Sequence, residues 1–355
     1  MVRYILSSVE AQLELNRRCP QCGRTNGNIH SREGRRAIRD LKARQVVQRR
    51  MKCPWCGVTW TIRCGGVRSG RRRSDRLRGI GVILYMLGLS YRAVETFLQC
   101  LECSGGKSSI ERDVAEAGER ARGLHSQAPR MKVRVLGVDG TGAAMAGRDA
   151  GMLFFVDIDR GRLVCVEAVN EEDTMEVRAH VAQVMGEVSA EELRTDEHSV
   201  YEGIVEEGAH RLCLTHWRKS KGKRCVDLYA EGVKAGRVMA AGSMGLLLKI
   251  LRREPRAASV PRELRWLVGR YARKRKGLGW KINKLLEHVE RTWEKVSDDP
   301  HDATNNVTER IIGLSFKIRA KTMRGFKSDR KVLEHPHLWE FLRGEGGIAD
   351  LRKIS

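Results

Sequence analysis

The sequence predicts an α/β chain built in successive modules: a cysteine-bearing, strand-forming head, a short three-helix module, and a sheet-and-helix layer domain with a helical stretch inserted in it. Three observations carry this expectation. Paired cysteines recur near the N-terminus, three capped amphipathic stretches follow, and beyond Pro129 β-rich runs alternate with helical periodicity. At 355 residues the chain has room for two or three domains, and 41% hydrophobic content is enough for packed cores. Lys and Arg number 67 against 44 Asp and Glu, a formal net charge of +23. Such an excess argues against an ordinary metabolic enzyme and for a polyanionic partner, nucleic acid first. The longest apolar run, Gly79 to Leu89, falls well short of the ~20 residues of a membrane span, and Glu10 and Glu14 interrupt any leader-like stretch. The expectation is a soluble cytoplasmic chain with no membrane partner.

The head, residues 1–66, is read from Cys19 and Cys22 in CPQC and Cys53 and Cys56 in CPWC. In a reducing compartment such pairs are metal ligands before they are disulfides. Each CxxC lets two thiolates reach one ion from a tight turn, and two such turns complete the tetrahedral set of one structural Zn²⁺. The 30 residues between the pairs alternate around Gln45–Met51 as hairpin strands would, so a zinc ribbon is expected; His30 and Cys64 are secondary ligand candidates. Residues 1–130 hold 26 Lys/Arg against 11 Asp/Glu, +15 of the total +23, which suits a DNA-binding head. Gly65 and Gly66 followed by Arg71, Arg72 and Arg73 mark a linker or a set of phosphate contacts.

Residues 67–128 read as three helices: Ser74 capping one through Leu87, Ser90 a second through Cys100, and Ser108 or Ser109 a third through Arg122. With Gly105-Gly106 as the turn, the pattern is that of a helix-turn-helix whose last helix, bearing Arg112, would enter the major groove of DNA. Cys100 and Cys103 lack a second pair nearby and read as core or free thiols.

From residue 129 onward, Val133–Val138, Met152–Ile158 and Leu163–Val169 read as three meandering strands, the last two joined by Asp159-Arg160-Gly161. A helix from Asp173 or Thr174 to Val188 follows, then strands Glu191–Thr195 and Ala209–Leu214. That order is the one expected of a ribonuclease-H-like layer of sheet and helices. Its first and fourth strands each end in an acid, Asp139 and Asp196. If the two strands are neighbours, ~4.8 Å apart, the two carboxylates can share divalent cations. Residues 218–300 show apolar positions at helical spacing over Gly232–Leu251, Pro261–Lys276 and Trp280–Val296, and Trp217, Trp266, Trp280 and Trp293 read as core.

The segment TNNVTER, Thr304 to Arg310, followed by a basic stretch ending TMRGFKS, resembles the glutamate region of insertion-sequence transposases of the DDE type. VLGVDGTG around Asp139 and RTDEHSVY around Asp196 resemble the first two acid blocks of that family, and Cys213-Leu214-Thr215-His216 is similar to the CxxH motif of its mutator-like group. The likeness spans about Val133 to Ser328. It implies Asp139, Asp196 and Glu309 as a triad holding two Mg²⁺ (or Mn²⁺), with His216 beside them contacting the scissile phosphate or orienting an acid. It also implies a helical insertion, which accounts for the 113 positions between Asp196 and Glu309. The catalytic domain would then comprise residues 129–217 and, together with a C-terminal tail, 301–355 around the all-helical insertion 218–300. Lys317, Arg319, Lys321, Arg324 and Lys327 would track DNA phosphates beside the chemistry. The activity implied is strand cleavage at terminal inverted repeats and transfer to target DNA, by a homodimer on paired ends in a nucleoid-associated protein. A catalytically silent domesticated DNA-binding regulator and a structure-selective nuclease are the alternatives.

Overall fold

A computed structural model of the chain describes residues 17–31, 34–63, 65–103, 105–127, 131–145, 148–170, 172–253, 259–296, 305–322 and 328–343. They form a mixed α/β structure in two compact units, one drawn from Met1–Ala128 with Ile318–Ser355 and the other from Pro129–Lys317. Thr304, Cys64, Arg324 and Lys327 lie outside the described residues.

In the first unit, strand β3 (Gln45–Lys52) is the spine of a small antiparallel sheet. Strands β1 (Asn28–Ile29) and β2 (Gly34–Ala37) pair end to end along one edge of β3, and β4 (Thr59–Arg63) pairs along the other. Three helices follow: α1 (Asp75–Met86), α2 (Tyr91–Cys100) and α3 (Lys107–Gln127). Ser74 and Ser90 cap the first two as expected, their hydroxyls accepting from the Leu77 and Ala93 N–H groups. The third helix differs from expectation at both ends. The Ser109 N–H already donates to the Gly106 carbonyl, so Ser108 and Ser109 lie inside the first turn instead of capping it, and the helix runs on to Gln127.

Buried ion pairs tie the sheet to the helices. Asp40, fully buried, accepts from Arg76, the Ser74 hydroxyl and the Lys42 and Ala43 N–H groups. Burial alone would push the Asp40 carboxyl up; Arg76 and these hydrogen bonds hold it down to about 2 instead. Helix α10 (Ile318–Thr322) and helix α11 (Asp329–Arg343) also belong to this unit. α11 packs along α3 closely enough that Glu334 Cβ lies 2.8 Å from where a Cβ on Gly118 would stand. The division between the two units falls at 317/318, inside the 301–355 stretch expected to hold the second part of the catalytic domain and a C-terminal tail.

The second unit is built on a five-stranded sheet in the order β7-β6-β5-β8-β9. Strands β5 (Val135–Met145), β6 (Arg148–Asp157) and β7 (Arg162–Val169) form an antiparallel meander, turned between β6 and β7 at Gly161 with φ of +60°. Strands β8 (Glu192–Thr195) and β9 (His210–Leu212) continue the sheet in parallel with β5. Helix α4 (Thr174–Glu187), capped by Asp173, covers one face through Val177, Val181 and Val184, which pack with Leu136, Val138, Leu153 and Phe155.

After β9 come α5 (Leu214–Lys234), α6 (Val238–Arg252), α7 (Val260–Tyr271) and α8 (Gly277–Trp293), which share a core of their own. The apolar run Gly232–Leu251, read as one helix, is broken at Gly236 with φ of +64°, and Gly232 lets the α6 backbone approach, a Cβ there lying 3.1 Å from the Ala241 nitrogen. Trp217 and Trp293 are core, stacked edge to face, but Trp266 and Trp280 are 55% and 43% exposed and correct the expectation that all four pack inside. The bundle ends where it began: Val296 bridges Leu212, and the Leu212 N–H donates to the Lys295 carbonyl at 2.7 Å. A long insertion in sequence is thus a short step in space. Helix α9 (Asn306–Ile312) and a π-helical turn (Gly313–Lys317) close the unit, Phe316 meeting Phe154 of β6 at 5.7 Å between ring centres.

Candidate functional site

Two groups of side chains have the composition of a site. In the first unit, the Cys19, Cys22, Cys53 and Cys56 sulfurs lie within 4.8 Å of one another, with Cys19 to Cys56 at 3.5 Å and Cys22 to Cys53 at 3.6 Å. A tetrahedral zinc with bonds of ~2.3 Å needs sulfur separations of ~3.8 Å, so the cluster fits one structural Zn²⁺. The two turns are copies of each other. In each, the N–H of the glycine after the second cysteine donates to the carbonyl of the first, Gly23 to Cys19 at 3.0 Å and Gly57 to Cys53 at 3.1 Å. Both glycines have positive φ, +71° and +74°, which other residues rarely adopt. Amide N–H groups within the turns lower the Cys19 and Cys53 thiols, the Cys56 N–H bringing Cys53 to about 6. His30 is exposed and stands outside this cluster.

The second group sits where β5 and β8 end. Gly137 and Arg194 are registered partners on these parallel strands, so Asp139 and Asp196, each two residues further, stand at the same level on adjacent strands. Both line a cleft of about 200 Å³ with Gly140, Thr141, His198 and Tyr201. Burial and the neighbouring Asp196 charge push the Asp139 carboxyl up to about 6, with Glu309 adding to the push and Lys317 and His216 opposing it. Asp196 accepts from the His198 N–H at 3.1 Å, and the next residue, Glu197, takes Lys221 of α5 and His288 of α8 at 2.6 Å each.

Glu309 comes from α9, and its height over the sheet is set by Gly137. A Cβ at that position would stand 2.3 Å from Thr308 Oγ1 and 2.8 Å from Asn305 Oδ1, so α9 rests directly on the β5 backbone. Asn305 fastens the helix start: its Nδ2 donates to the Val138 carbonyl at 3.2 Å and its N–H to Cys213 Sγ at 3.1 Å. The Glu309 carboxylate meets His216 Nε2 at 3.2 Å, and Cys213, His216 and Glu309 bring ligand atoms within 4.8 Å of one another. Asp139 and Asp196 are not part of that tight cluster. Two hard carboxylates side by side, with a third on the helix next to them, is a donor set suited to Mg²⁺ or Mn²⁺.

The basic residues expected to meet phosphate divide. Arg72, Arg112, Lys317 and Lys321 are exposed. Arg73 is buried against Asp113, and Arg71 pairs with Glu116. Arg319 is buried too, stacked over the Tyr85 ring at 4.0 Å and donating to the Leu89 carbonyl. Arg73 and Arg319 thus serve packing, a role that charge alone in the sequence does not reveal, while Arg71 is half-exposed. Gly137 and Asn305 are site residues that the motifs do not single out; the one sequence signal is that Gly137 is a glycine inside an apolar strand, which marks close backbone approach. Among the described residues, no helix is long and apolar enough to cross a membrane. Comparison of the sequence with protein-family models and with curated proteins finds no match in either.

Proposed function

We propose that the protein is a DNA transposase of the DDE type, with a ribonuclease-H-like catalytic unit, and that it cleaves and transfers DNA strands at terminal repeats. The observation that carries this reading is the level pairing of Asp139 and Asp196 on adjacent parallel strands, with Glu309 on a helix seated over Gly137 of the same strand. The strand order, three antiparallel strands then two parallel ones with a helical insertion before the last helix, supports it. Asp139, Asp196 and Glu309 would hold two divalent cations, which when bound supply an activated water or 3′-hydroxyl and offset charge on the phosphate. Lys317, exposed and close enough to act on Asp139, is set to receive a DNA phosphate. No Ser or Tyr nucleophile is required, since strand transfer proceeds without a covalent protein–DNA intermediate.

In this reading the zinc ribbon and α1–α3 form the DNA-binding head, α3 acting as the recognition helix of a helix-turn-helix with Arg112 on its exposed side. Arg72 and Lys321 contact the backbone, and a homodimer pairs two element ends. One observation favours the silent-regulator alternative: Glu309 is engaged by His216 and stands outside any tight cluster with the two aspartates. A nicking assay on terminal-repeat DNA with Mg²⁺ or Mn²⁺ decides. Wild type is expected to cut and join, and Asp139→Asn to bind the same DNA without cutting. Normal cutting by Asp139→Asn rejects the assignment, and binding without cutting by wild type selects the regulator.

A further inference from the structure

The proposed cation triad leaves Cys213 and His216 without an assignment as metal ligands. Cys213 ends the β9–α5 turn with its side chain 1% exposed, and His216 follows one helical turn later on the same side of α5. Their ligand atoms and a Glu309 oxygen all lie within 4.8 Å of one another, with His216 Nε2 at 3.2 Å from Glu309 Oε1. His216 Nδ1 is buried and has no hydrogen-bond partner among the described residues. Thiolate, imidazole and carboxylate together make a set that hard Mg²⁺ disfavours and borderline-soft Zn²⁺ prefers. Three protein ligands with the fourth position open to water is also the arrangement of catalytic zinc sites, as opposed to closed structural ones. The half-exposed His216 and Glu309 leave that position reachable from solvent.

We propose that Cys213, His216 and Glu309 form a second metal site, selective for Zn²⁺-class cations, and that filling it withdraws Glu309 from Asp139 and Asp196. The same glutamate then belongs either to a hard-cation set or to a soft-cation set. Excess zinc switches the cleft off by taking Glu309. The second half of this inference rests on the proposed function; the site itself does not.

The test uses the full chain with its four-cysteine site already filled with zinc. Titration with Co²⁺ is expected to give one further equivalent with a thiolate-to-cobalt charge-transfer band. Cys213→Ala and His216→Ala should each abolish that band while retaining the first zinc, which reports that the head remains folded. Absence of the band, or its persistence in Cys213→Ala, overturns the site. Mn²⁺ binding followed by electron paramagnetic resonance reads the competition without any activity. One equivalent of added Zn²⁺ should weaken Mn²⁺ binding at least tenfold in wild type and leave it unchanged in Cys213→Ala. Unchanged Mn²⁺ affinity in wild type, with the cobalt band present, overturns the sharing of Glu309. A chain that binds no Mn²⁺ at all contradicts the proposed function, and the cobalt titration still decides the second site.

Discussion

A single methyl group on Gly137 would meet Thr308 Oγ1 at 2.3 Å and Ile158 at 2.9 Å, and neither neighbour lies at the end of a long flexible chain. Gly137→Ala is therefore expected to destabilise the fold by roughly 1–3 kcal/mol through overpacking. Adding Thr308→Ala should recover part of that loss, a coupling that a double-mutant cycle in chemical denaturation measures. Simple additivity would mean that α9 does not rest on β5 at this point. Asp139 makes a different prediction. Its folded carboxyl holds its proton up to about pH 6, above the unfolded value of 3.8, so the folded state binds more protons between those two pH values. Stability from this group is therefore present at acid pH and lost as pH rises through 6. Asp139→Asn removes that dependence and should stabilise the zinc-loaded, magnesium-free protein at pH 7 by up to ~3 kcal/mol, the linkage equivalent of a shift from 3.8 to about 6. A destabilised Asn variant would show that the carboxylate is satisfied in the fold and not held in readiness for a cation.

At the scale of elements, the parts legible in the sequence were those with local chemistry. Ser74, Ser90 and Asp173 each cap a helix through their own side chains, and the paired CxxC turns carry their glycines with them. The breaks that were misread depend on distant partners. The sequence reads Gly232–Leu251 as one amphipathic helix, and only the packing of α6 against α5 at Gly232 turns the chain at Gly236. Trp266 and Trp280 sit at helical spacing among apolar residues, yet their faces point away from the bundle core. The return of the chain from Val296 to Leu212 has no local sequence signature at all, since it is a pairing across 84 positions. The cysteine-bearing sheet has a small core that includes Ile38, Val46, Met51 and Ile62, and a Zn²⁺ held by the four cysteines would add to its stability. Cys53→Ser should lose the structural zinc, as read by metal content, and release the ribbon strands to rapid amide exchange. Retention of zinc with unchanged protection would show that the four sulfurs do not act together.

Across the whole molecule, the net charge of +23 overstates the charge available to a polyanion. Arg73, Arg76, Arg78 and Arg319 are buried, the first three in ion pairs with Asp40, Asp113 and Glu116. These residues hold the first unit together, while exposed ones such as Arg72 and Arg112 lie on the surface, where the proposed function places phosphate contacts. The same division applies to the acids. Asp40 is held ionised by its partners, whereas Asp139 is pushed up by burial and then by the neighbouring Asp196 charge in a cleft. The raised Asp139 carboxyl, beside a second acid on the neighbouring strand, marks the candidate site. Its composition was readable in three sequence blocks, but its geometry depended on β5 and β8 being neighbours and on Gly137 admitting α9. The most direct measurement is the anomalous scattering of Mn²⁺ in crystals of the zinc-loaded protein. The account predicts manganese density coordinated jointly by Asp139 and Asp196, with Glu309 turned from His216 toward it. Manganese absent from that cleft, or bound there by neither aspartate, contradicts it.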